Sequence, residues 1–166
     1  ITGLQEAISR RLDPLLPVVV SFGKIKGGKA FNVIADRVHL LGTVRCLDSQ
    51  LHATLPQWIE ETVTSICATF GAKAVVNYRC IAPPVHNDPE LTGLIEQCSI
   101  KQLGRDQVLR LDNPSLGAED FAEFLQDVPG AMFRLGVAGS DGCAPLHNGG
   151  FCPDESSLEI GIKVLT

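Results

Sequence analysis

Between residues 33 and 70 the apolar period changes once, from alternation to helical spacing, and this confines the chain to mixed α/β architectures. Residues 33 to 46 alternate as a strand does, whereas Leu55, Trp58, Ile59, Val63, Ile66, Cys67 and Phe70 share one helical face that Gly71 closes. Upstream, Leu4, Ala7, Ile8 and Leu12 recur at helical spacing until Asp13 and Pro14 end the pattern. Residues 17 to 25 (PVVVSFGKI) are β-branched and apolar, and Gly27 with Gly28 turns them into the next strand as an antiparallel hairpin. Residues 72 to 81 predict a further strand, stopped by Pro83 and Pro84. One strand ahead of the first helix would complete a ferredoxin-like β-α-β-β-α-β unit.

The pattern breaks at Pro84, so the chain divides into residues 1–84 and 85–166. The second part opens with a polar junction and predicts a helix over 89–103, a short strand over 108–111 and a helix over 118–126 with Glu119 and Asp120 in its first turn. A buried strand over 131–137, a loop over 138–153 and a helix over 154–165 begun by Asp154 complete it. These are too few elements for a complete layered α/β domain.

A net charge of -5 provides no basic surface for phosphates, which argues against a nucleic-acid partner. No apolar run approaches the roughly 20 residues of a membrane helix, so no membrane association is expected. The six cysteines include no C-x-x-C pair and sit mostly in apolar stretches. They read as free thiols in a reducing, cytoplasmic setting.

Four features could carry chemistry. Residues 23 to 30 (GKIKGGKA) approach the phosphate-binding G-x-x-x-x-G-K-[ST], but Ala30 lacks the hydroxyl and a strand follows where a helix is needed. A glycine hairpin turn with solvated lysines is the simpler reading. Cys143, His147 and Cys152 could present soft or borderline ligands to zinc from one loop, although no fourth ligand is evident. His147 stands in ALHNGGF between a buried strand and a helix, where ligands gather at the mouth of an α/β sheet. Arg45 shares a strand face with Thr43, Leu41 and His39, and its fork suits a carboxylate, to which Asn32 at the other end of the strand could add an amide donor.

Six segments in order, LQEAISRRLDP, GKIKGGKAFNVIADRVHLLGTVR, PPVHND, SLGAEDFAEFL, PGAMFRLG and APLHNGGFCPDE, resemble the M20 peptidase family over essentially the whole chain. The resemblance points to the branch of indole-acetyl-amino-acid and hippurate hydrolases. Ala35 stands where relatives carry proline.

That resemblance implies hydrolysis of the amide bond of N-acyl amino acids by a catalytic α/β domain with two divalent metals, of zinc, manganese or cobalt. A smaller lid domain, here residues 1–84, would also mediate homodimer formation, and residues 85–166 would be the C-terminal portion of the catalytic domain. His147 matches the last metal ligand of the family. Asn32 and Arg45 match lid positions that contact the substrate carboxylate, and Gly117 with Ala118 matches backbone lining the substrate pocket. The other ligands and the catalytic glutamate of the family have no counterpart in this sequence, so the chain is expected to be a fragment, inactive alone. The rival expectation is a noncatalytic dimerisation or binding module of the same fold.

Overall fold

The computed structural model describes residues 1–166 as a mixed α/β chain. Its elements are α1 (Thr2–Arg11), β1 (Val18–Gly27), β2 (Val38–Cys46), α2 (Ser49–Thr69), α3 (Pro89–Leu103), a 3-10 turn (Arg105–Gln107), α4 (Phe121–Phe124) and α5 (Ser156–Leu165). Two compact units emerge, one of Ile1–Val85 with Ser115–Glu123, the other of His86–Pro114 with Phe124–Thr166.

In the first unit β1 and β2 form an antiparallel, two-stranded sheet. The register slips between Phe22 and Lys24, a bulge at Gly23. Opposite Phe22 stands Gly42, where a Cβ would overlap the carbonyl oxygen of Ser21, so only glycine lets the strands close there. Helix α2 begins where the Asp48 carboxylate accepts the Leu51 amide at 2.7 Å. It ends in a Schellman motif, with Gly71 N–H donating to Ala68 O and Ala72 N–H to Cys67 O, each at 3.0 Å, and Gly71 at φ 68. Leu55, Ile59 and Thr62 are its buried residues, and α1 adds Leu4. Gly3 lets α1 approach α2 closely at Ile66.

In the second unit α3 starts from Asp88, whose carboxylate accepts the Leu91 amide at 2.9 Å, with Pro89 in the first turn where its missing N–H costs nothing. It packs against α5, and Ser99 and Ser157 are the buried residues of the two helices. Helix α5 begins one residue after Glu155, its N-cap, rather than at Asp154, whose carboxylate accepts the Ser156 amide at 2.9 Å just ahead of it.

Three predicted strands do not form. Residues 72–81, 108–111 and 131–137 have no ladder partner, and the helix predicted over 118–126 shrinks to Phe121–Phe124. Residues 73–79 nevertheless alternate, with Ala74, Val76 and Tyr78 half-buried between exposed neighbours, the mark of an extended segment with no adjacent edge. The 131–137 segment is held instead by a side chain. Asn87 donates its Nδ2 to Met132 O at 2.8 Å and accepts Met132 N–H at 2.9 Å, imitating the backbone of a neighbouring strand. No helix is long and apolar enough to cross a membrane.

Candidate functional site

The sheet of the first unit has two unlike faces. Val18, Val20, Phe22, Val44 and Cys46 are half-buried, while cross-strand partners Val19 and Arg45, Ser21 and Thr43, Lys24 and Leu41, and Lys26 and His39 are exposed. Strict alternation would put Lys24 and Lys26 on the face of Val20; the bulge at Gly23 moves them to that of Arg45. The exposed face therefore carries Lys24, Lys26, His39 and Arg45 and no carboxylate. Sequence reasoning missed this stripe, and the only signal for it was a glycine inside a strand.

At one end of that face the Arg45 guanidinium donates from Nη1 to Leu116 O at 2.8 Å. This fixes the guanidinium beside Gly117 and Ala118, both exposed, so three of the four residues assigned to substrate from sequence lie together. Ser115 steadies the turn by accepting the Gly117 amide on its hydroxyl at 3.1 Å. Glu119 accepts the Phe121 amide at 3.3 Å and so caps α4. Asn32 is exposed in the connection between β1 and β2, before Val38. From Val38 to Arg45 the strand runs about 23 Å, at roughly 3.3 Å per residue. No hydrogen bond joins Asn32 to the Arg45 end.

The phosphate-loop reading of residues 23–30 fails on geometry. Gly23 to Gly27 belong to β1, Gly28 turns the chain at φ 79, and the next element is a strand. At the start of α2, the Cys80 thiol lies 3.5 Å from His52 Nε2. Burial, then Asp48 and Cys80, push the Cys46 thiol above its ordinary value.

In the second unit His147 is exposed on the loop between Val137 and Asp154, whose ends are tied by Asp154 N–H donating to Val137 O at 2.9 Å. Asn148 N–H donates to Pro145 O at 3.2 Å, which makes His147 the third residue of a β-turn at φ 67, the left-handed region glycine favours. Holding a histidine there costs roughly 1–3 kcal/mol and is the kind of strain found at functional positions. Cys143 donates from Sγ to Cys152 O at 3.1 Å. Nowhere do three or more His, Cys, Asp or Glu side chains gather so as to hold a metal ion, so the zinc reading of Cys143, His147 and Cys152 is not met. One metal-matched histidine does not make a metal centre, and the donor set of this chain does not fit one by itself.

Helix α3 carries the other charged cluster. Glu96 receives Arg110 through Nε and Nη2 and Arg105 through Nη1, and these hydrogen bonds, Arg110 first, hold its carboxyl down at about 2.

The sequence pattern of Peptidase family M20/M25/M40 matches residues 3–166. A protein of Synechocystis sp. named a probable hydrolase is 49% identical over 168 residues, covering 100% of this chain and 43% of that protein. Thermostable carboxypeptidase 1 of Saccharolobus solfataricus is 35% identical over 156 residues, covering 92% of this chain and 39% of the relative. Among solved structures, a Bacillus subtilis dinuclear metal binding peptidase of the M20 family superposes with a TM-score of 0.77 at 26% identity, covering 99% of this chain and 43% of that one. The chain belongs to peptidase family M20/M25/M40. It spans less than half the length of these relatives.

Proposed function

We propose that this chain is the carboxylate-receiving part of a longer amidohydrolase that cleaves N-acyl amino acids. The observation that carries the reading is the exposed cationic face of β1 and β2, with Arg45 held at Leu116 beside the open backbone of Gly117 and Ala118. One guanidinium nitrogen is engaged with a carbonyl, and the rest of the planar fork is free to grip a carboxylate with two parallel N–H donors. The exposed backbone of Gly117 and Ala118, with the Gly117 amide given to Ser115 Oγ, would flank the acyl-amino-acid backbone, and Lys24 and Lys26 raise the local anion concentration. A relative named a carboxypeptidase is consistent with recognition of a free carboxylate.

His147 would join its imidazole to a metal centre completed by residues outside this chain, with divalent metal as the cofactor class. A Bacillus subtilis neighbour described as binding two metals supports that assignment. Cytoplasmic residence and the acyl-amino-acid branch belong to the same proposal. The scarcity of metal donors favours one second reading, a noncatalytic module that pairs subunits through the hairpin edges.

The test uses the full-length protein and a pair of substrates, an N-benzoyl amino acid and its carboxamide. Arg45→Lys keeps the charge and loses the fork, so kcat/KM on the free acid falls by about tenfold or more while the carboxamide is little affected. Equal kinetics of wild type and variant on the free acid contradict the role of Arg45.

A further inference from the structure

The loop that ends in Cys152 and begins near Cys143 has its two thiols brought to its base by three separate ties. Gly142 N–H donates to Gly139 O at 3.0 Å and closes a turn just ahead of Cys143. Asp154 N–H donates to Val137 O, which draws the segment after Cys152 alongside the one that leads to Cys143. Gly139 sits so close to the Asp154 carboxylate that a side chain would strike it, so these two stretches lie in contact. Across them the Cys143 thiol reaches the carbonyl of Cys152 at 3.1 Å. Cys143 is half-buried and Cys152 exposed, beside an open hollow of about 230 Å³ lined by Ser140, Asp141, Pro153 and Asp154.

We propose that Cys143 and Cys152 are a redox-active dithiol that closes into a disulfide and clasps the base of the loop carrying His147. Cys152, the open thiol, gives its proton to solvent and attacks one sulfur of a low-molecular-weight disulfide such as oxidised glutathione; its S–S bond breaks and one glutathione thiolate leaves. Cys143 then gives its proton to solvent and attacks the Cys152 sulfur, expelling the second glutathione thiolate. Two thiols and one glutathione disulfide become one protein disulfide and two glutathione thiols, so two electrons pass to the oxidant. Cys143 Sγ already touches the Cys152 backbone, and Gly149, with open space around it, lets the intervening loop follow. The disulfide does not depend on the metal reading of His147; only its consequence for a bound metal does.

The experiment equilibrates the full-length protein with reduced and oxidised glutathione, blocks remaining thiols and weighs the tryptic peptide from Leu135 to Lys163, which holds Cys143 and Cys152 and no other cysteine. The oxidised protein should yield that peptide about 2 Da lighter, with neither thiol blocked, and reductant should reverse the change. Cys143→Ser should instead accumulate a glutathione adduct on Cys152. His147→Ala should oxidise as the wild type does, so loss of the metal reading and loss of the dithiol reading give different results. A wild-type peptide whose two thiols both stay blockable, or which keeps a stable glutathione adduct, or which links to another cysteine, overturns the proposal.

Discussion

Glu96 shows how one side chain sets the acid limit of a local structure. Its carboxyl is held at about 2, against an ordinary 4.5, chiefly by hydrogen bonds from Arg110 and then Arg105. A depressed carboxylate contributes stability that is complete above its ordinary pKa and is lost as pH falls through the folded value. The tie of α3 to residues 105–110 should therefore weaken between about pH 4.5 and 2. A carboxyl-carbon NMR titration should find the Glu96 midpoint near 2, and Glu96→Gln should remove that part of the acid sensitivity. A midpoint in the ordinary carboxylate range would show that the two arginines do not hold it. His147 offers a second test at this scale, since asparagine tolerates the left-handed turn but has no imidazole. In the intact enzyme His147→Asn should keep the loop and lose metal and activity together; full metal occupancy would remove His147 from the ligands.

At the scale of elements, helix ends were the most legible feature. Helix α3 keeps the predicted bounds, 89–103, and the structure supplies their mechanism in Asp88 with Pro89 at one end and Gly104 after Leu103 at the other. Asp48 and Gly71 bracket α2, although apolar spacing alone began the helix six residues later than its first residue, Ser49. Removing these signals should be measurable: Asp48→Ala should cost about 1 kcal/mol through the lost cap, and Gly71→Ala a similar amount because alanine resists positive φ. Chemical denaturation of the intact protein reads both, and unchanged midpoints would contradict the capping geometry. Strands were less legible, because a strand exists only with a neighbour. Residues 73–79 keep the burial alternation of a strand but have no ladder partner, and sequence alternation cannot report whether a neighbouring edge is present. Likewise no periodicity reveals that Asn87 stands in for the backbone opposite Met132. Of the candidate site, Arg45, Gly117 and Ala118 were readable as residue types, but their meeting through Leu116 spans a sequence separation that spacing cannot report.

Residues 1–166 expose 13142 Å². A folded monomer of this mass exposes about 8,000 Å², and two independent bodies of half the mass still under about 10,000 Å². The excess is apolar in part: Phe31, Ile34, Leu15 and Val75 are almost entirely exposed, while Leu4, Leu55, Ile59 and Ala122 alone form the deeply buried apolar set. Such surface seeks cover, from the remainder of a longer protein or from a second copy. The first unit, whose hairpin has no third strand on either edge, should self-associate at micromolar concentration, and sedimentation showing a clean monomer across that range would count against subunit pairing.

The most direct test is an assay of purified residues 1–166 beside the full-length protein, each supplied with zinc, manganese or cobalt, against N-acetyl and N-benzoyl amino acids. The full-length protein should hydrolyse them and the short chain should not, because a catalytic metal needs about three protein ligands and this chain gathers no such group. Turnover by residues 1–166 that persists through purification and disappears in His147→Ala would contradict the account.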